Sequence, residues 1–286
     1  MSNNLSSLVA EALDFLSEQK VTSSRFEIHL LLSHILNIEP SEIYTYSFPL
    51  TENQNKIFWQ MIKKRAAHWP VDKIIGHKGF YKYEFAVSTD VLSPRADTEI
   101  LVEKALDYLK ITNSPKIFEF GVGSGCILLS ILADRPDAFG FGLDISKKAL
   151  QIALENARSL GVSSRCRLFC CSWFDEQFLK EQSFSEMDMI VANPPYIATG
   201  EIASLEPEVK EFDPITALDG GEDGLRDYWQ IFKLASELLK KQGIILVEIG
   251  ENQTEGVVSI AEKYHFKVQE IAKDLAQTNR CIIFKK

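Results

Sequence analysis

A chain of 286 residues, 45% hydrophobic and 25% charged, has the composition of an ordinary globular protein and the length for a catalytic domain beside a smaller second one. Its 31 basic and 40 acidic residues give a formal charge of -9, which argues against a protein that clamps a long phosphate backbone with a uniformly basic surface. Five cysteines, Cys126, Cys166, Cys170, Cys171 and Cys281, are odd in number and form no pair of CxxC units, so neither a disulfide framework nor a zinc site is expected.

Met1 to Ala10 lacks a basic region followed by an apolar run, and no stretch approaches a membrane span; a cytoplasmic protein without a membrane partner is the expectation. From Leu5 to about Ala67 apolar residues recur at helical spacing, as in Leu5, Leu8, Val9, Ala12, Leu13 and Leu16, and then Ile28, Leu31, Leu32, Ile35 and Leu36. Pro40-Ser41 reads as a turn before a new helix and Thr51 as an N-cap, so a bundle of several short helices is predicted over residues 1–75. Gly79 to Ser88, with Phe80, Tyr81, Tyr83, Phe85 and Val87, is strand-like and predicts a β-hairpin linker within residues 76–90.

Beyond Pro115 strands and helices alternate. Predicted strands are Lys116 to Phe120, Ala138 to Leu143, Arg165 to Cys170, Met187 to Ala192 and Gly243 to Ile249, with helices such as Ser146 to Leu160 and Leu225 to Lys241 between them. Phe266 to Ile271 and Arg280 to Lys285 add two strands with no helix between them, hence antiparallel neighbours at a sheet edge. Residues 91–286 are therefore expected to form a doubly wound, Rossmann-like α/β domain of seven strands.

Glu119-Phe120-Gly121-Val122-Gly123-Ser124-Gly125 follows a predicted strand and opens a helix, which lets backbone approach a nucleotide-type ligand. The dinucleotide fingerprint would need glycine at position 126, where Cys126 stands; the spacing GxGxG suits adenosylmethionine enzymes better. Glu119 can hydrogen-bond, directly or through water, to the cationic methionine half. Asp144, ending the next strand, can take the ribose hydroxyls, with Ser146 capping the following helix and leaving Asp144 free.

Asn193-Pro194-Pro195-Tyr196 follows the apolar strand Met189-Ile190-Val191-Ala192, at the carboxyl end of the sheet where open α/β folds bind ligands. Two prolines stiffen the turn. The lone pair of a planar amide or aromatic amino nitrogen is delocalised, so the protein must orient that nitrogen. The Asn193 oxygen and the Pro194 carbonyl can each accept one N–H, with Tyr196 packed on the flat face.

These motifs, with Leu92-Ser93-Pro94-Arg95-Ala96-Asp97-Thr98-Glu99, Asp213-Pro214, Ala217-Leu218-Asp219-Gly220-Gly221-Glu222-Asp223-Gly224-Leu225, Tyr228 and Val247-Glu248-Ile249-Gly250 with Gln253, closely resemble the HemK-type release factor glutamine methyltransferases over essentially the whole chain. The resemblance implies a class I methyltransferase domain behind a substrate-recognising helical bundle. It implies transfer of a methyl group from S-adenosyl-L-methionine, leaving S-adenosyl-L-homocysteine, to the side-chain amide nitrogen of the glutamine in the Gly-Gly-Gln motif of peptide chain release factors.

By position, Glu119, Gly121, Val122, Gly123, Ser124, Gly125, Asp144 and Asn193 would contact the cofactor, with Trp173 against adenine. Asn193, Pro194, Pro195 and Tyr196 would hold the glutamine, with Arg95 a further candidate whose alternative is an ion pair with Asp97 or Glu99. Asp213 stands where the family usually has Glu, and Cys126 is read as packing. Lys56, Lys63, Lys64, Arg65, Lys73, Lys78 and Lys82 make a locally basic stretch that would suit an acidic partner or a solvated helix face. Competing readings are a nucleic acid adenine or guanine amino-methyltransferase, which shares the Asn-Pro-Pro-Tyr motif but is disfavoured by charge, and a non-catalytic adenosylmethionine-binding module.

Overall fold

The computed structural model describes residues 5–46, 48–182 and 184–286, so the first four residues of the expected bundle and of the stretch searched for a leader lie outside it. The chain divides into two compact units, one comprising residues up to His77 together with Glu206–Phe212, the other Lys78–Leu205 with Asp213–Lys286. No helix among the described residues is long and apolar enough to cross a membrane.

The first unit is built from α1 (Leu5–Glu18), α2 (Arg25–Leu36), α3 (Glu52–Ala66) and the short α4 (Val71–Ile75), with a 3-10 turn at Glu42–Tyr44. Capping boxes start α2 and α3: Ser24 pairs reciprocally with Glu27, and Thr51 with Gln54. The apolar stripes read from the sequence meet in one core that includes Leu8, Val9, Leu16, Ile28, Leu31, Phe58 and Ile62. The segment Glu206–Phe212, from far along the chain, joins this unit: buried Arg65 pairs with Glu208 at 2.6 Å, and Lys73 Nζ donates to the Phe212 oxygen at 2.5 Å. The expected basic stretch is thus not one surface. Arg65 and Lys73 are buried and engaged, while Lys56, Lys63 and Lys64 face solvent.

A two-stranded sheet, β1 (His77–Phe80) with β2 (Tyr83–Ala86), supplies the expected hairpin. After α5 (Glu99–Leu109) come β3 (Lys116–Phe120), α6 (Cys126–Asp134), β4 (Phe139–Asp144), α7 (Lys147–Ser159), β5 (Cys166–Cys170), α8 (Glu176–Glu181) and β6 (Met187–Ala192). The chain closes with α9 (Pro207–Phe212), α10 (Arg226–Leu238), β7 (Leu239–Glu248), α11 (Thr254–Lys263), β8 (Lys267–Lys273) and β9 (Asn279–Lys285). The seven large strands run in the order β5-β4-β3-β6-β7-β9-β8, parallel except for β9. This is a doubly wound, Rossmann-like α/β fold, with β8 at the edge and β9 inserted beside β7.

Side chains of β3 alternate between two apolar layers. Ile117 packs with α5 and α6 through Leu101, Leu128 and Ile131, while Phe118 and Phe120 face Tyr228, Phe232 and Val257 of α10 and α11. The expected helix over Leu225 to Lys241 stops three residues early. Leu239 turns extended (φ -78, ψ 143) and β7 begins there, pairing Leu239 with Met187 across an irregular register.

Strand order reverses between β3 and β6, which leaves a crevice at their carboxyl ends. The glycine loop and the Asn-Pro-Pro-Tyr turn both leave the sheet there.

Candidate active site

Three glycines take left-handed backbone after β3: Gly121 (φ 74), Gly123 (φ 54) and Gly125 (φ 84). They differ in purpose. A Cβ on Gly125 would strike Leu129 Cδ1 at 2.6 Å, so this glycine seats α6, whereas Gly123 has nothing within 4 Å and is open to a ligand. Gly121 lies under the Trp173 ring, 3.4 Å from a would-be Cβ.

Asp144, at the end of β4, is not free as expected. Its Oδ2 accepts the Gly123 N–H and its Oδ1 the Ser146 N–H, each at 2.8 Å, so it ties the glycine loop to the α7 N-terminus. Each oxygen keeps a second lone pair for a hydroxyl donor. Burial raises its pKa despite those two bonds.

Glu119 is fully buried on the α6 side of β3. Its Oε2 accepts the Leu128 N–H at 3.3 Å, and its Oε1 has no partner. Burial drives its pKa well above the carboxylate range, with Asp144 adding to the rise. An under-satisfied buried acid at a cleft is a ready receiver for a cationic group.

Glu119, Gly121, Val122, Gly123, Ser124, Asp144, Trp173, Asn193, Pro195 and Arg95 line one open cleft at the carboxyl ends of the strands. Ile145, Thr98, Ser93 and Thr216 complete much of its wall. Gly125, Pro194 and Tyr196 are not among its lining residues.

The Trp173 ring is fixed edge and backbone. Its indole N–H donates to Asp227 Oδ1 at 3.1 Å, and its carbonyl accepts from Gln230 Nε2 at 3.1 Å. Asp227 is itself buried and paired with Arg226 at 3.0 Å. Arg95 pairs with Asp213 at 2.7 Å, not with Asp97 or Glu99: Asp97 faces Arg280 at 3.5 Å, and Glu99 accepts the Tyr81 N–H at 2.9 Å. Asp213 therefore anchors the arginine at the cleft.

The Asn-Pro-Pro-Tyr turn is gripped from behind. Gln253 Nε2 donates to the Tyr196 oxygen at 2.8 Å, the Ile197 N–H to the Leu218 oxygen at 3.0 Å, and the Gly220 N–H to the Ile197 oxygen at 2.9 Å. A Cβ on Gly220 would lie 2.6 Å from the Pro195 oxygen, and one on Gly224 would collide with the Tyr196 oxygen, so only glycine lets this loop close on the turn.

Tyr196 was expected against the substrate. Its hydroxyl instead points inward and donates to Glu248 Oε1 at 3.4 Å, while its ring packs on the buried core. Asn193 Nδ2 donates to Thr98 Oγ1 at 3.4 Å. Thr98 and Glu248, 2% exposed each, went unassigned in the sequence, although a lone carboxylate ending the apolar run Ile244 to Val247 was a legible signal.

A model of the PrmC N-terminal domain matches residues 7–76, and a methyltransferase domain model matches 111–282. The chain is 38% identical to a release factor glutamine methyltransferase of Rhodospirillum rubrum over 93% of its own length and 80% of that protein's. It is 36% identical to one of Thermodesulfovibrio yellowstonii over 96% and 98%. This chain belongs to the release factor glutamine methyltransferase family. A bifunctional methyltransferase of Rickettsia prowazekii, 34% identical, contains the match within 57% of its length. In this family member, a methyltransferase, the glycine loop, the acidic strand ends and Asn193 open onto one cleft, where a methyl donor and its acceptor can be brought together.

Proposed function

We propose that this methyltransferase moves the methyl group of S-adenosyl-L-methionine to the side-chain amide nitrogen of the glutamine in the Gly-Gly-Gln motif of peptide chain release factors. The observation that carries the reading is that Asn193 lines the same cleft as Gly121–Ser124 and Asp144. The names of the relatives supply the substrate class.

The residues present fit the cofactor. The unpartnered Glu119 Oε1 would receive its cationic methionine end, the open Gly123 its backbone approach, Asp144 its ribose hydroxyls, and Trp173 with Ile145 its flat base. When bound, it supplies an electrophilic sulfonium methyl. Asn193 Oδ1 accepts one N–H of the glutamine amide and the Pro194 carbonyl the other, which fixes the plane of the nitrogen and aims it along the line of attack. The stiff, buttressed turn keeps that aim without a strong base.

The test supplies labelled S-adenosylmethionine with a release factor, the same factor with its motif glutamine replaced by alanine, or DNA or RNA. Label on the factor that vanishes with the glutamine is expected; label on nucleic acid, or label that survives the replacement, would overturn the reading.

A further inference from the structure

Among the described residues that line the cleft, Trp173 is the one aromatic, and it is held at both ends. The far edge of its six-membered ring, Cζ3 and Cη2, lies over the glycine loop, 3.4 and 3.7 Å from where a Cβ on Gly121 would stand. At the opposite end the indole N–H donates to Asp227 Oδ1 at 3.1 Å. The ring thus bridges the loop after β3 and the first turn of α10.

An acid in the first turn of a helix is ordinary at the surface, where it meets the helix dipole without being buried. Asp227 is 1% exposed. A carboxylate so placed is costly unless its oxygens are paired. Here each has its own partner, Oδ1 the indole and Oδ2 the Arg226 guanidinium at 3.0 Å. The same guanidinium donates to the Asp219 oxygen at 2.6 Å, and Gln230, one turn further along α10, donates to the Trp173 carbonyl at 3.1 Å. Arg226 therefore pins the carboxylate, and the carboxylate pins the ring.

The torsion that turns an indole about its own side-chain bond has two broad wells roughly half a turn apart. A half-turn of Trp173 would carry its N–H off Asp227 and leave a buried carboxylate oxygen without its donor, so the bond allows one orientation and disfavours the other.

We propose that Asp227 is a positioning residue for the cofactor: by receiving the Trp173 N–H it selects one orientation of the indole and keeps that ring in place as a wall for the flat base. This rests on the reading that Trp173 takes the base. A wall already in place spares the cofactor the cost of ordering the ring as it binds.

The experiment is calorimetric titration with S-adenosyl-L-homocysteine, which needs no release factor, on wild type, Asp227→Leu, Asp227→Asn, Trp173→Phe, Trp173→Ala and the Trp173→Phe/Asp227→Leu pair. Asp227→Leu, branched like Asp but without an acceptor, should weaken binding by about 5- to 10-fold, the worth of one hydrogen bond, and raise the KM for the cofactor more than it lowers kcat. Asp227→Asn, which keeps Oδ1 as an acceptor, should recover most of the affinity. Trp173→Phe has no N–H to give, so adding Asp227→Leu to it should cost no further affinity. Asp227→Leu that binds like wild type, or losses that add in the pair, would overturn the proposal. Should Asp227→Leu fail to fold, Asp227→Glu, which keeps a charge for Arg226 but shifts the carboxylate by one methylene, is judged by the same comparison. Trp173→Ala separates the two ways of failing. If it binds like wild type, the reading of Trp173 falls and takes the proposal with it; if it binds weakly while Asp227→Leu does not, the proposal alone falls.

Discussion

The side-chain amide of Gln253 donates to the backbone oxygen of Tyr196 at 2.8 Å, while its own oxygen accepts the Gly250 N–H at 2.9 Å. One residue at the start of α11 thereby fixes the last position of the Asn-Pro-Pro-Tyr turn and the end of β7 together. Gln253→Ala strands both backbone groups, so it should cost about 1–3 kcal/mol of stability and lower kcat more than it changes cofactor affinity. Denaturant unfolding and steady-state rates on the same preparation check this; a stable variant with wild-type kcat would contradict it.

Asp144 and Asn193 should fail in different ways. Asp144 holds the Gly123 N–H as well as offering lone pairs to a ligand, so Asp144→Ala loosens the loop and weakens cofactor binding first. Asn193→Ala removes the proposed acceptor for the substrate amide and should cut transfer by about 100-fold or more while cofactor binding largely survives. Calorimetric titration of both variants separates the two, and like behaviour would contradict the assignment.

Most of the sheet was legible in the sequence, because β3 and β6 are short apolar runs followed by turn signals and their register leaves little choice. The helix expected to reach Lys241 was misread because Leu238, Leu239 and Lys240 suit either a helix end or a strand start; pairing with Met187 decides it. The glycine loop, Asp144 and Asn193 were readable from motif spacing. The partners were not: Arg95 with Asp213, Trp173 with Asp227, Thr98 with Asn193, and Glu248 with Tyr196 are joined across 52 to 118 residues of chain. Such pairings depend on which strand ends the fold brings side by side, and spacing in one sequence does not encode that.

Glu248 also predicts how stability depends on pH. Its pKa rises from 4.5 to about 7 on folding, so the folded state holds the proton more tightly than the unfolded chain. Its contribution is fully present below about 4.5 and is lost as pH rises through about 7, an effect of about 3 kcal/mol at most. Glu248→Gln mimics the neutral acid at every pH. Between about pH 5 and about pH 8 its unfolding midpoint should therefore fall less than that of wild type. Parallel midpoints over that range would contradict a buried, proton-holding Glu248.

In the proposed reaction the methyl group arrives on a glutamine side-chain nitrogen. Tandem mass spectrometry of a release factor after incubation with the protein and S-adenosylmethionine locates it directly. A single methyl group on the glutamine of the Gly-Gly-Gln motif, absent when Asn193→Ala replaces wild type, is the predicted result. An unmodified glutamine in factor that has been methylated elsewhere, or no methylation by active wild-type protein, would contradict it.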